Sequence, residues 1–215
     1  MNAALPHFLL TLIFITIVFL HIAKKNYAVA LAYGVQSLAI VALFINAYAA
    51  TGATTFLFIA VLSLFVKAVL APLFIIGQIK KHELRFLVST YANLPVSLIG
   101  VAVLTAIAHS HIFTPLVTII PANREFLSLA LSALFISMFL IINRKGAVSQ
   151  IVGVLSLENS IMAFGLFSMI DQPLLLEAGI IFSISVWTII ATVFISMIYK
   201  HFGSLDVTKM KHLKD

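Results

Sequence analysis

The chain has no cysteine, one tryptophan and little charge: Asp, Glu, Lys and Arg make up 9% of its 215 residues. Without cysteine it can carry no disulfide, iron–sulfur cluster or thiolate metal site. An ordinary soluble domain is about 25% charged. The shortage of charge, with 62% hydrophobic residues and a mean hydropathy of +1.17, excludes a soluble domain, a disordered chain and a coiled coil. Catalytic signatures are missing too: there is no Walker loop, no Gly-x-Gly-x-x-Gly after a strand, no paired Cys/His set and no Gly-x-Ser-x-Gly. His109 and His111 share a loop without an adjacent carboxylate and read as surface residues. What remains is an all-α integral membrane protein with the lipid bilayer as its solvent. It is expected to be non-catalytic, with no cofactor or metal of its own and no nucleic-acid partner.

About 20 apolar residues cross a bilayer as a helix, so seven helices use about 140 residues. The apolar runs place seven spans at 6–23, 27–50, 54–79, 84–108, 126–142, 147–170 and 174–199. No cation precedes the first run, no Ala-x-Ala follows it, and Lys24 and Lys25 come after it. It therefore reads as a retained helix rather than a cleaved signal. Eleven of the thirteen cations fall on one side of this arrangement. They are Lys24, Lys25, Lys80, Lys81, Arg85, Arg144, Lys145, Lys200, Lys209, Lys211 and Lys214. The positive-inside rule makes that side cytoplasmic and the N-terminus external. Thr51-Gly52 and Asp171-Gln172-Pro173 read as tight outer turns. The segment 109–123 is expected along the outer interface or over the bundle, and 203–215 as a basic cytoplasmic tail.

Cation spacing also suggests a weak internal repeat within this single membrane domain. Lys25 and Lys145 are 120 residues apart, as are Lys80 and Lys200. Helices 2–3 (24–82) and 6–7 (143–202) then form two units of one orientation, an arrangement known in transporter folds.

Two ionisable residues fall at mid-membrane depth. Lys67 is 13 residues from Lys80 and Glu158 is 13 from Lys145, each about 20 Å from the cytoplasmic flank at 1.5 Å per residue. A lysine at a helix centre costs about 2.5–3.5 kcal/mol on insertion scales. Such residues face the bundle interior or a wet cavity and mark a proton or ion path, or else they tether two helices. Removal from water disfavours the charged form of each, whereas a Lys67–Glu158 pair would keep both charged. The sequence alone leaves both readings open.

Neutral polar groups at similar depth are Gln36, Asn159 and Ser160, with Asn46 nearer the outer end and Asn93 and Pro95 interrupting helix 4. Pro72 has no N–H to give the carbonyl of Ala68, beside Lys67. His21, near the cytoplasmic end of helix 1, reads as an interfacial residue or a point of proton entry. Ser128, Ser132, Ala133 and Ser137 give helix 5 a small-residue face suited to close helix contact.

The stretch Asn143-Arg-Lys-Gly-Ala-Val-Ser-Gln-Ile-Val-Gly-Val-Leu-Ser-Leu-Glu-Asn-Ser-Ile-Met-Ala-Phe-Gly165 runs from a basic turn into a helix with Leu-Glu-Asn at its middle. It resembles a helix of the NuoK subunit of respiratory complex I and of the NuoK-like subunit of Mrp-type sodium/proton antiporters. Phe65-Val-Lys-Ala-Val-Leu-Ala-Pro72, the tail Gly203-Ser-Leu-Asp-Val207 and the seven-helix length look more specifically like hydrogenase-4 component E. That family is a membrane subunit of [NiFe] hydrogenase and formate hydrogenlyase complexes. The resemblance implies a place in the cytoplasmic membrane of a bacterium or archaeon. It implies antiporter-like and NuoH-like membrane subunits and a peripheral hydrogenase or related redox module as partners. It also implies mid-membrane carboxylates on an axis for proton or cation translocation. Glu158 matches the first of these carboxylates. The second has no match: Ser183, Ser185 or Trp187 stands near that depth, and Gln36 and Lys67 stand at the corresponding places of the first repeat. Glu158 is then expected as proton carrier, Lys67 as a biasing charge or relay, and Gln36, Asn159 and Ser183 as hydrogen-bonding links. Two other readings stay open: a scaffold that moves no ions, and an independent secondary transporter.

Overall fold

A computed structural model describes residues 4–81, 89–117, 123–168, 195–196 and 198–200. The described chain is helical, with no strand; its one extended pairing is an isolated bridge between Thr90 and Arg144. Helix α1 spans Ala4–Ile22 and α2 spans Asn26–Thr51. Next come α3 (Thr54–Ser63), a π-helical stretch (Leu64–Leu70) and α4 (Ala71–Lys81), followed by α5 (Leu94–Ala108). A 3₁₀ turn at His111–Phe113 leads into the short α6 (Thr114–Val117), and α7 (Arg124–Asn143) and α8 (Ala147–Ser168) follow.

Five stretches are long and apolar enough to cross a membrane: Ala4–Ile22, Asn26–Thr51, Thr54–Lys80, Arg124–Asn143 and Ala147–Ser168. They correspond to expected spans one, two, three, five and six. The fourth is shorter than expected. Its helix starts at Leu94 because Asn93 is extended and its side chain accepts the N–H of Val96, with Pro95 in the first turn, where its missing N–H costs nothing. Asn93 and Pro95 therefore begin this helix rather than interrupt it. Its 15 residues cover about 22 Å, less than the roughly 30 Å hydrocarbon core. The expected seventh span lies almost wholly outside the described residues, as do Ser183 and the tail.

Turn chemistry follows the sequence where it is explicit. Gly52 closes α2 in the left-handed region (φ 72°), and its N–H bonds to the Tyr48 carbonyl. Only glycine adopts that conformation without a Cβ penalty. The segment after α5 folds back, so that Phe113 meets Phe135 of α7 edge to face at 5.3 Å.

Helix α2 is central, packing on α1, on the α3–π–α4 rod and on α8, while α7 packs on α8, α1 and α5. The small residues of α7 serve this contact: Ser132, Ala133 and Ser137 are fully buried. Close approach recurs at Gly153, where an added Cβ would lie 2.8 Å from Ile141 Cγ1. The buried apolar residues form two clusters. One gathers Leu10, Ile13, Ile17, Ile40, Phe44, Ile59, Ile136 and Phe167. The other gathers Leu20, Val29, Tyr33, Ala71, Ile75, Ile79, Leu140 and Val152. Between them, on four of the packed segments, lies a layer of buried polar side chains: Gln36 and Ser37, Ser63 and Lys67, Ser137, and Ser156 with Glu158, Asn159 and Ser160.

Candidate functional site

The polar layer is organised around Lys67. Its backbone lies within the π-helical stretch, where N–H groups reach back five residues: Ala71 donates to the carbonyl of Val66. Pro72 is next and has no N–H, so the widened register ends there. With Ala71 bonded to Val66 and no N–H on Pro72, the Lys67 carbonyl loses its helical donor; in α register the same proline would free the carbonyl of Ala68. Such single-turn widenings of an α-helix recur at functional sites. Pro72 packs over Gly34 of α2, whose absent side chain leaves room for the ring.

Lys67 is 1% exposed and Glu158 7%. Lys67 Nζ is 2.5 Å from Glu158 Oε1. It also donates to Asn159 Oδ1 at 3.3 Å and to Met162 Sδ at 2.8 Å. The three acceptors lie within five residues of α8, so the ammonium rests against one helix face. Asn159 in turn donates from Nδ2 to Ser37 Oγ of α2 (3.1 Å). Gln36 makes a long contact from Nε2 to the Ser156 carbonyl (3.5 Å). Ser137 and Ser160 share a hydrogen bond of 3.2 Å between α7 and α8. The bonds join α2, the π segment, α7 and α8 at one level.

Of the residues singled out from sequence, Lys67, Glu158, Asn159 and Gln36 meet here. Ser183 lies outside the described residues. His21 is buried but apart: its Nε2 donates to the Ile136 carbonyl at 3.2 Å and its ring stacks on Phe139 at 5.2 Å. Among the described residues no hydrogen bond joins it to Lys67 or Glu158. Ser37, Ser63 and Met162 belong to the layer without having been legible as such. The signals in the sequence are adjacency to Gln36, the four-residue spacing from Ser63 to Lys67, and the four-residue spacing from Glu158 to Met162.

Several atoms of the layer make no hydrogen bond among the described residues: Gln36 Oε1, Ser63 Oγ, Ser156 Oγ and Glu158 Oε2. Buried polar atoms in native proteins are almost always paired, with protein or ordered water. The site thus offers more acceptors than its one ammonium uses.

Arg144, counted from sequence among the cytoplasmic-side cations, is 1% exposed. Its Nη1 donates to the Ala23 carbonyl just beyond α1 (3.2 Å), where a cation favours the negative end of a helix. Burial pulls its guanidinium down to about 10, which leaves it charged at neutral pH. Beside it, Asn143 holds the 89–93 segment: Nδ2 donates to Ser97 Oγ (2.8 Å) and Oδ1 accepts the N–H of Ala92 (2.8 Å). Among the described residues no group of three or more His, Asp or Glu side chains is placed to hold a metal ion.

Chemically, the Lys67–Glu158 pair is balanced. A proton delivered to Glu158 leaves the ammonium unpaired, and a proton taken from Lys67 leaves the carboxylate unpaired. Either step forfeits an attraction that is strong at low dielectric, so a nearby charge can favour one step over the other. Set against protein-family models, curated proteins and solved structures, the chain matches none of them.

Proposed function

We propose that this chain is a non-catalytic subunit in the membrane arm of a hydrogenase- or complex I-related redox complex. It contributes a mid-membrane polar axis through which protons move in step with electron transfer in a peripheral module. The arrangement has seven spans, an external N-terminus and a cytoplasmic C-terminus, in the cytoplasmic membrane of a bacterium or archaeon. Units 24–82 and 143–202 are related as repeats. Antiporter-like and NuoH-like membrane subunits flank it.

The observation that carries this reading is the buried Lys67–Glu158 pair in a polar layer between two apolar clusters. Ionisable residues in a membrane are costly, and by default they mark a path for protons or ions. Hydrogen-bonding partners on α2, α7 and α8 extend the layer sideways, as an axis shared with neighbouring subunits requires. The choice of a redox complex rests on the Leu157-Glu158-Asn159 helix, the Phe65–Pro72 segment and the Gly203–Val207 tail. A pure scaffold is the second reading, favoured by the same pair, since a closed ion pair also tethers two helices.

Mild-detergent purification through this chain, with mass spectrometry of what accompanies it, tests the proposal. Recovery of hydrogenase-type subunits with an antiporter-like membrane protein is the expected result. A chain recovered alone, stable and monodisperse would overturn it.

A further inference from the structure

We propose that the Lys67 ammonium is the tethered occupant of a monovalent-cation site formed by Glu158, Asn159 and the buried oxygens around them, and that it thereby keeps alkali cations out. Its role in transport rests on the proton-axis reading above; occupancy of the site is a property of this chain alone.

Three observations lead here. First, the ammonium is cradled rather than merely paired. It meets a carboxylate oxygen, an amide oxygen and a thioether, all from one face of α8. Second, the surroundings are rich in acceptors. Glu158 Oε2, Gln36 Oε1, Ser156 Oγ and Ser63 Oγ, the last one turn before Lys67, are buried without a hydrogen bond among the described residues. Carboxylate, amide and hydroxyl oxygens are the donor set of hard cations. Third, the π register and Pro72 withhold a backbone donor from the Lys67 carbonyl. Carbonyls released by irregular helix geometry are a recurrent source of ligands for Na⁺ in membrane proteins.

Exchanging the ammonium for Na⁺ leaves the net charge of the site unchanged. The ammonium wins because it is attached: a group on a short tether competes at an effective concentration on the order of millimolar or higher. Lys67 is therefore a specificity-determining residue. With it in place, Glu158 exchanges protons and not Na⁺.

The test measures thermal stability of the full chain, extracted in mild detergent with any bound partners, in NaCl and in choline chloride at equal ionic strength and pH 9. Wild type should melt at the same temperature in both. Lys67→Met should melt higher in NaCl, by about 5–10 °C at a hundredfold excess of Na⁺ over its dissociation constant. Lys67→Met combined with Glu158→Gln should lose that response. If Lys67→Met is not recovered folded from choline buffer, its recovery in NaCl becomes the readout, with Lys67→Gln as the second variant. A Lys67→Met protein indifferent to Na⁺, with Glu158 taking a proton instead, overturns the proposal. So does a wild-type protein stabilised by Na⁺ as strongly as the variant. Because the assay needs neither pumping nor a redox module, its failure is distinct from failure of the complex-subunit reading.

Discussion

Glu158→Gln is the sharpest perturbation of the polar layer. It preserves side-chain shape and removes one charge. The Lys67 ammonium, 2.5 Å from Glu158 Oε1, would keep only neutral acceptors: the introduced amide oxygen, Asn159 Oδ1 and Met162 Sδ. Removing one partner of a buried ion pair costs about 3–5 kcal/mol when the other charge stays behind. For a protein of 150–250 residues each kcal/mol corresponds to about 2–4 °C in melting temperature. The expected drop is therefore about 6–20 °C. Lys67→Met strands the carboxylate instead and, in the absence of Na⁺, should cost a similar amount. In the double variant no unpaired charge remains. Its loss should be well short of the sum, since coupled neighbours deviate from additivity by about 0.5–3 kcal/mol. The assay is heating in detergent followed by size-exclusion of a C-terminal fluorescent fusion. Single variants within about 1 °C of wild type, or losses that simply add, would refute the pairing on which the site is built.

Other expectations follow from contacts away from the pair. Asn143→Ala removes the bonds to Ser97 and Ala92 and leaves the Ala92 N–H in need of a partner. A loss of about 1–3 kcal/mol, read by the same heating assay, is expected. Gly153→Val places a side chain where even a Cβ would lie 2.8 Å from Ile141 Cγ1 and 3.3 Å from the Ile141 backbone nitrogen. Overpacking of this kind costs about 1–3 kcal/mol, and it should separate α7 from α8. A cysteine pair on those helices should then cross-link less readily. Ser37→Ala frees Asn159 Nδ2 at a cost of about 1 kcal/mol, with protein yield unchanged.

Much of this site is legible in residue order, for a physical reason. Counting 13 residues from Lys80 to Lys67 and from Lys145 to Glu158 sets both at equal depth, because helical rise is constant. The structure joins these two residues. What the count lacks is rotation: which face each helix turns inward depends on packing, and one sequence does not say that α8 and the π segment face each other. The π register is hidden likewise. Pro72 announces a missing donor, but which carbonyl loses it depends on whether the preceding N–H groups reach four or five residues back. Helix α5 shows the limit of hydropathy. The run 84–108 is apolar enough for one span, yet Asn93 caps the helix from its own side chain and local hydrogen bonding overrides the apolar average. Arg144 shows the limit of charge counting, which assigns the cation a side of the membrane and does not say that it folds under the end of α1.

Proton movement in inverted membrane vesicles carrying Glu158→Gln tests the central claim most directly. Electron flow through the accompanying redox module and co-purification of its subunits are followed in parallel. The account predicts an assembled complex that still passes electrons but acidifies the vesicle interior at least about tenfold more slowly. Undiminished acidification with Gln at position 158 would contradict it and leave the Lys67–Glu158 pair as a tether between helices.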